Sequence, residues 1–347
     1  MQKKEGFLAR KNIVFSLERY FIDALGAMAL GLFASLIVGV ILETLGSQLI
    51  NLLGENAILK FLVESGNLAK GLYGPAIGVA VAYGLKAPPL VLFASAVTGG
   101  AGVSLGGGPA GAFVAAVVGA EFGKAVSRET KIDIIVTPAV SILAGVAAAA
   151  VVGPWVNSFM LALGRLIMRA TELQPIPMGI IVSVVMGLVL TAPISSAALA
   201  MMMELGGLAA GAATVGCSAQ MIGFAVASYR ENGWGGLIAQ GLGTSMLQVP
   251  NIVRNPWILV PPTLASAILG PIATTLIKME NLPYGAGMGT SGFVGQIGTF
   301  DAMGFSLPVL LRILLLHYIL PAVLSLLFSE WLRKIGLIKF GDYDLKL

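Results

Sequence analysis

The stretch APPLVLFASAVTGGAGVSLGGGPAGAFVAAVVGA, residues 87–120, runs without a single charged side chain. It is longer than the roughly 20 residues a helix needs to cross the hydrocarbon layer. Similar uncharged runs occupy residues 134–164, 173–203, 205–229, 232–253 and 255–277. None shows the strict apolar and polar alternation of a lipid-facing barrel strand, and each is too long for one such strand. Helices satisfy their own backbone hydrogen bonds where no water can reach, so the runs predict an all-α polytopic membrane protein.

Composition agrees. Of 347 residues, 57% are hydrophobic and 11% charged, and the mean hydropathy is +0.91. An average soluble domain carries roughly 25% charged residues, too many to match this chain. The net charge of +4 does not signal nucleic acid, because the basic residues sit at the ends of apolar runs rather than on one soluble face. With Cys217 as the sole cysteine, no internal disulfide and no cysteine metal cluster can form, and its setting in AATVGCSAQ reads as packing. No cofactor or metal site is expected.

Positive charge orients the chain. The head MQKKEGFLARK is basic, and the tail carries Arg333, Lys334, Lys339 and Lys346, so both termini are predicted on the cytoplasmic side with an even number of spans. Ten helices are expected, with eight as the alternative. The organisation reads as a cytoplasmic segment at 1–17, a first membrane half at 18–154, an interfacial amphipathic linker at 155–175, a second membrane half at 176–330 and a cytoplasmic tail at 331–347. The linker is assigned from Arg165 and Arg169, four apart on one helical face with apolar residues opposite. Trp155, Trp234, Trp257 and Trp331 each fall at an expected span end, where interfacial aromatics belong.

The halves echo one another. KAPPLVLFASAV (86–97) resembles LVPPTLASAI (259–268), and GGAGVSLGG (99–107) resembles YGAGMGTSG (284–292), which fits two structural repeats of a transporter fold. Rival registers stay open.

Four stretches interrupt the apolar runs with glycine, proline and hydroxyl residues: TGGAGVSLGGGPAGA (98–112), TAPISSAA (191–198), GLGTSMLQVPN (241–251) and GAGMGTSGFVGQIGTFD (285–301). Irregular backbone at membrane depth survives only when enclosed by protein or lining a wet cavity. Broken helices therefore mark a solute site, and the pair GLGTS and GMGTS, each followed by a glutamine, points to Gln248, Asn251, Thr290, Ser291 and Gln296 as solute contacts, with Ser195 from TAPISS. GMGTSG also satisfies the G-x-G-x-x-G spacing of dinucleotide sites, but no strand precedes it.

Ionisable residues within membrane segments are costly and informative. Glu204 reads either as a substrate or proton-coupled carboxylate or as a helix end among headgroups. Asp301 reads as a ligand contact or as the partner of Arg312. His317, the sole histidine, reads as a proton relay or as an interhelical hydrogen-bonding group. Arg254 either grips an anion or anchors to headgroups.

TAPISSAA, GLGTS, the mid-chain amphipathic stretch and above all GAGMGTSGFVGQIG resemble the membrane-permease (IIC-type) subunits of the bacterial sugar phosphotransferase system, in the branch that includes perfringolysin-regulator-like proteins. The resemblance spans nearly the whole chain. It implies a homodimer in the bacterial inner membrane with a solute site between a scaffold and a moving transport domain. It also implies soluble phosphotransferase subunits as partners, because this chain has no hydrophilic segment long enough to hold a phosphoryl-carrying domain; otherwise the branch works without phosphorylation. No catalytic residues are expected. The function expected is carriage of a small polar solute, a sugar or organic anion, by alternating access, with a membrane-embedded sensor that binds without transport as the alternative.

Overall fold

The computed structural model describes residues 6–171 and 174–345. Residues 1–5 of the basic head, 172–173 of the expected linker and 346–347 of the tail lie outside the described residues. Within them the chain is helical almost throughout, with one isolated bridge between Gly207 and Asn281, so the protein is an all-α polytopic membrane protein. Six helices are long and apolar enough to cross a membrane: Arg19–Asn51, Pro89–Val126, Asp133–Thr171, Gly207–Ala227, Pro256–Leu276 and Leu307–Lys334. Other expected crossings fall on shorter helices, Tyr73–Gly84 and Pro175–Thr191. Leu143, Val151, Leu327 and many other large apolar side chains are exposed, as a lipid-facing surface requires.

The chain divides into two compact units, each discontinuous in sequence: 1–39 with 67–159, and 40–66 with 160–347. In the first, Tyr73–Gly84 packs against Pro89–Gly102 through small residues. A Cβ at Gly78 would strike the Ser95 carbonyl oxygen, and one at Gly99 would strike that of Gly74. Lipid tails are as apolar as leucine, so helices in a bilayer associate by such close packing rather than by a hydrophobic drive. The glycine-rich run 103–108 breaks the next crossing as its composition predicts: Gly106 and Gly108 take positive φ, and Gly108–Val126 leaves from the turn.

The second unit is built around Gly207–Ala227. Of the apolar stretch in this helix, 89% is buried inside the protein, which explains why it is made of glycine, alanine, serine and threonine rather than leucine. Pro175–Thr191 and Val260–Pro271 cross it and each other. A Cβ at Gly270 would strike the Gly179 carbonyl, and Ser183 Oγ donates to Ser266 O at 2.8 Å. The Pro-Pro-led helices of the two units thus share a device. Each carries Ser-x3-Gly, at Ser95 and Gly99 or at Ser266 and Gly270, and turns its glycine onto the backbone of a partner helix.

Residues 155–171 of the expected amphipathic linker are helical and belong to the helix Asp133–Thr171, which contains Pro138 and Pro154. The Trp155 side chain within it is exposed. The chain turns at Gly336 and Gly341, both at positive φ, and brings Tyr343 to full burial.

Candidate solute site

Three of the four interrupted segments meet on Gly207–Ala227. After Pro175–Thr191 the chain bends through 192–195 before the seven-residue helix Ser196–Met202. At Ala239–Gly243 the backbone widens into a π-type turn, Thr244 is extended, and its side chain caps the short 3-10 turn Ser245–Gln248 by accepting from Met246 N at 3.1 Å. The third segment runs from Pro283–Ala286 through Gly289 and Gly292, both at positive φ, to Val294–Met303. A Cβ at Gly289 would lie 2.7 Å from the Cys217 carbonyl carbon, so this loop rests directly on the central helix.

Side chains tie the three together. Thr290 Oγ1 donates to Gly241 O at 2.5 Å, joining the two Gly-x-Gly-Thr-Ser segments. Thr191 Oγ1 lies 2.8 Å from Ser245 Oγ, and 3.3 Å from Gln220 Oε1. Gln220 Nε2 in turn donates to Thr263 Oγ1 at 3.0 Å. Ser196 Oγ donates to Gly287 O at 2.6 Å; its neighbour Ser195 is half-buried.

Asn281 is the hub that sequence reading missed. Fully buried, it donates through Nδ2 to Thr214 Oγ1 at 2.6 Å, Gly295 O at 2.8 Å and Thr299 Oγ1 at 3.2 Å, while its Oδ1 accepts from Leu282 N at 2.7 Å. Its backbone closes the bridge to Gly207. In sequence it follows Lys278 and Glu280 and reads as a loop residue, with no signal for this role.

Among the expected contacts, Ser291, Gln296 and His317 are all buried, and Gln296 and His317 meet. Gln296 Nε2 lies 3.1 Å from His317 Nδ1. Beyond that contact, Ser291 Oγ, Gln296 Oε1 and His317 Nε2 are buried with no protein hydrogen-bond partner, as is Ser218 Oγ on the central helix. Buried polar groups are paired in the great majority of cases, and leaving one unpaired costs about 1–3 kcal/mol. Since an amide nitrogen only donates, His317 Nδ1 accepts and the ring proton sits on Nε2. Two free functions result, a donor on His317 and an acceptor on Gln296. Reversing the amide would exchange their roles and still leave one of each.

Gln248 and Asn251 are engaged differently. Both are buried, and both give their amide protons to the chain's own tail: Gln248 Nε2 to Tyr343 O at 3.1 Å, Asn251 Nδ2 to Asp344 O at 2.9 Å. Asn251 also donates to Gln248 Oε1 at 2.8 Å. Asp301 is exposed and accepts from the Tyr284 hydroxyl; among the described residues no ion pair joins it to Arg312, which is also exposed. Glu204 is exposed at the turn after Ser196–Met202, with φ +50°, and lines a pocket of about 530 Å³ with Leu161, Arg165, Met168 and Arg169.

A family model described as the phosphotransferase system EIIC matches residues 22–345. Comparison with curated proteins and with solved structures returns no significant match.

Proposed function

Since this chain belongs to the phosphotransferase-system EIIC family, a family of multi-pass sugar-type membrane permeases, we propose that it carries a small neutral polyhydroxylated solute by alternating access. A transport body would move against a dimeric scaffold in the bacterial inner membrane, with both termini cytoplasmic. Soluble phosphotransferase subunits are the natural partners, and the chain itself has no catalytic role.

The observation that carries this reading is the set of unpaired buried functions at Ser291, Gln296 and His317. They offer a donor, an acceptor and a hydroxyl that can do either, with no formal charge among them. A sugar hydroxyl both donates and accepts, so two or three hydroxyls would complete the set without a counter-ion. None of these three side chains is a cation that would pair with an organic anion. Thr290, Thr191 and Asn281 then hold the broken segments in place rather than touch the solute.

Uptake of a panel of labelled hexoses, hexitols and sugar acids into proteoliposomes tests the proposal. Flux should be saturable for a neutral polyol and should fall at least about tenfold in Gln296→Ala, the order expected when one buried hydrogen bond to a ligand is lost. Ligand-induced thermal stabilisation with no flux would replace the permease by a membrane-embedded sensor.

A further inference from the structure

The C-terminal segment 337–345 is held by four side-chain amides. Asn232 Nδ2 and Gln248 Nε2 both donate to Tyr343 O, at 2.8 and 3.1 Å, and Asn251 Nδ2 donates to Asp344 O. Asn255 Nδ2 donates to Leu337 O and to Asp342 Oδ2, at 2.9 and 2.7 Å. Asn232 Oδ1 accepts the Leu345 N–H at 2.9 Å. The Tyr343 ring is fully buried, edge-on to Phe224 with centroids 6.3 Å apart, and lies 5.2 Å beneath the Arg333 guanidinium. Arg333 is itself paired with the buried Glu231 at 2.8 Å. A hydrophilic tail needs no such enclosure to stay in water.

One of the amides that hold the tail also reaches across GLGTS. Gln248 Nε2 donates to Gln240 Oε1 at 2.8 Å, and Gln240 Nε2 donates to Ser228 Oγ at 2.7 Å and to Gly236 O at 2.9 Å. Residues 241–245 run between these two glutamines, and within that interval Gly241 O receives Thr290 and Ser245 Oγ meets Thr191. The tail is thus one hydrogen bond from Gln248 and two from Gln240, the glutamines on either side of the segment that anchors the site.

We propose that Tyr343 is a positioning residue: by docking the tail it fixes the Gln240–Gln248 pair and so holds GLGTS in the geometry the solute site requires. This rests on the transport reading above. Unlike a residue that only supports the fold, a positioning residue changes solute affinity and local order while the rest of the protein stays intact. Tyr343→Phe keeps the ring and the backbone carbonyl, and loses only a 3.3 Å contact with Ser329 Oγ.

The test measures uptake kinetics and hydrogen exchange on full-length Tyr343→Ala, Tyr343→Phe and wild-type protein. In Tyr343→Ala, KM should rise about tenfold with kcat little changed, and exchange should accelerate about tenfold in 239–248 and in the undocked tail, but not along Gly207–Ala227, as expected for local opening after loss of one or two buried hydrogen bonds. Tyr343→Phe should match wild type in both. A wild-type KM in Tyr343→Ala, unchanged exchange at 239–248, or acceleration spread over the whole of Gly207–Ala227 would each overturn the proposal. Exchange needs no transport, so wild-type protein without saturable uptake would remove the transport reading while the accelerated 239–248 would still stand for the coupling.

Discussion

Thr290 hangs from the Gly241 carbonyl: its Oγ1 is 2.5 Å from that oxygen, so the hydroxyl of one Gly-x-Gly-Thr-Ser segment is fastened to the first residue of the other. Neither segment is a regular helix at this point, and the Gly241 oxygen lies in the irregular turn 239–243. Enclosed by protein, a carbonyl there needs a side-chain donor.

Replacing that donor separates the bond from the volume. Thr290→Val keeps the shape and leaves Gly241 O without Thr290, which should lower stability by about 1–3 kcal/mol, while Thr290→Ser should retain most of it. Thermal unfolding of the purified protein in detergent measures both. Equal stability in all three would mean that the hydroxyl contributes nothing to joining the segments.

Asn281 should be less tolerant. Its amide serves three acceptors and its oxygen one donor, all buried, so Asn281→Ala leaves several groups unpaired at once and should cost more than any single Thr290 change. Asn281→Asp is the sharper probe. A carboxylate can accept from Leu282 N and Thr214 but only repels Gly295 O, so it should not rescue. Folded yield and unfolding temperature, compared across Asn281→Ala and Asn281→Asp, decide the matter.

The class of fold was legible because charge is so sparse, and the broken segments were legible because glycine, proline and hydroxyl residues stand out inside apolar runs. Which side chain meets which was another question. Gln248 and Asn251 look like solute ligands in sequence, yet an amide binds a peptide carbonyl as readily as a sugar hydroxyl, and the tail supplies carbonyls nearly a hundred residues on. The tail itself, GDYDL, carries two acidic residues and no local pattern that marks its tyrosine as buried. Glu204 stands out as a charge within an apolar run, while its left-handed, exposed turn leaves no mark in the local sequence. Gln296 and His317 were each singled out, while their contact depends on a crossing of Val294–Met303 with the final membrane helix that no local pattern encodes.

Docking of the tail should weaken only in strong alkali. Burial pushes the Tyr343 phenol up to about 12, from an ordinary value of 10.0. A group whose folded pKa is raised contributes stability that is fully present below its unfolded value and is lost as pH rises through the folded one. Docking should therefore hold constant from neutral pH to about 10 and fail as pH climbs toward 12. Tyrosinate absorbance of wild type minus Tyr343→Phe isolates this one phenol; a difference titrating at the ordinary value would show that Tyr343 is not buried in solution.

The two Ser-x3-Gly helices make opposite demands on a methyl group from those of an exposed glycine. In Gly270→Ala the new Cβ meets the Gly179 carbonyl, and in Gly99→Ala it meets that of Gly74; both obstacles are backbone, which cannot rotate away. Each should destabilise by about 1–3 kcal/mol, the usual cost of overpacking. Gly235→Ala meets nothing within 4 Å, and should be neutral or stabilise by up to about 1 kcal/mol by removing backbone freedom from the unfolded chain. If the helices are the same packing device used twice, Gly99→Ala and Gly270→Ala should lose similar stability, and their double mutant should lose the sum, because each contact is internal to its own unit. Unfolding temperatures that fall for one and not the other would show that the resemblance between the Pro-Pro-led helices ends at composition.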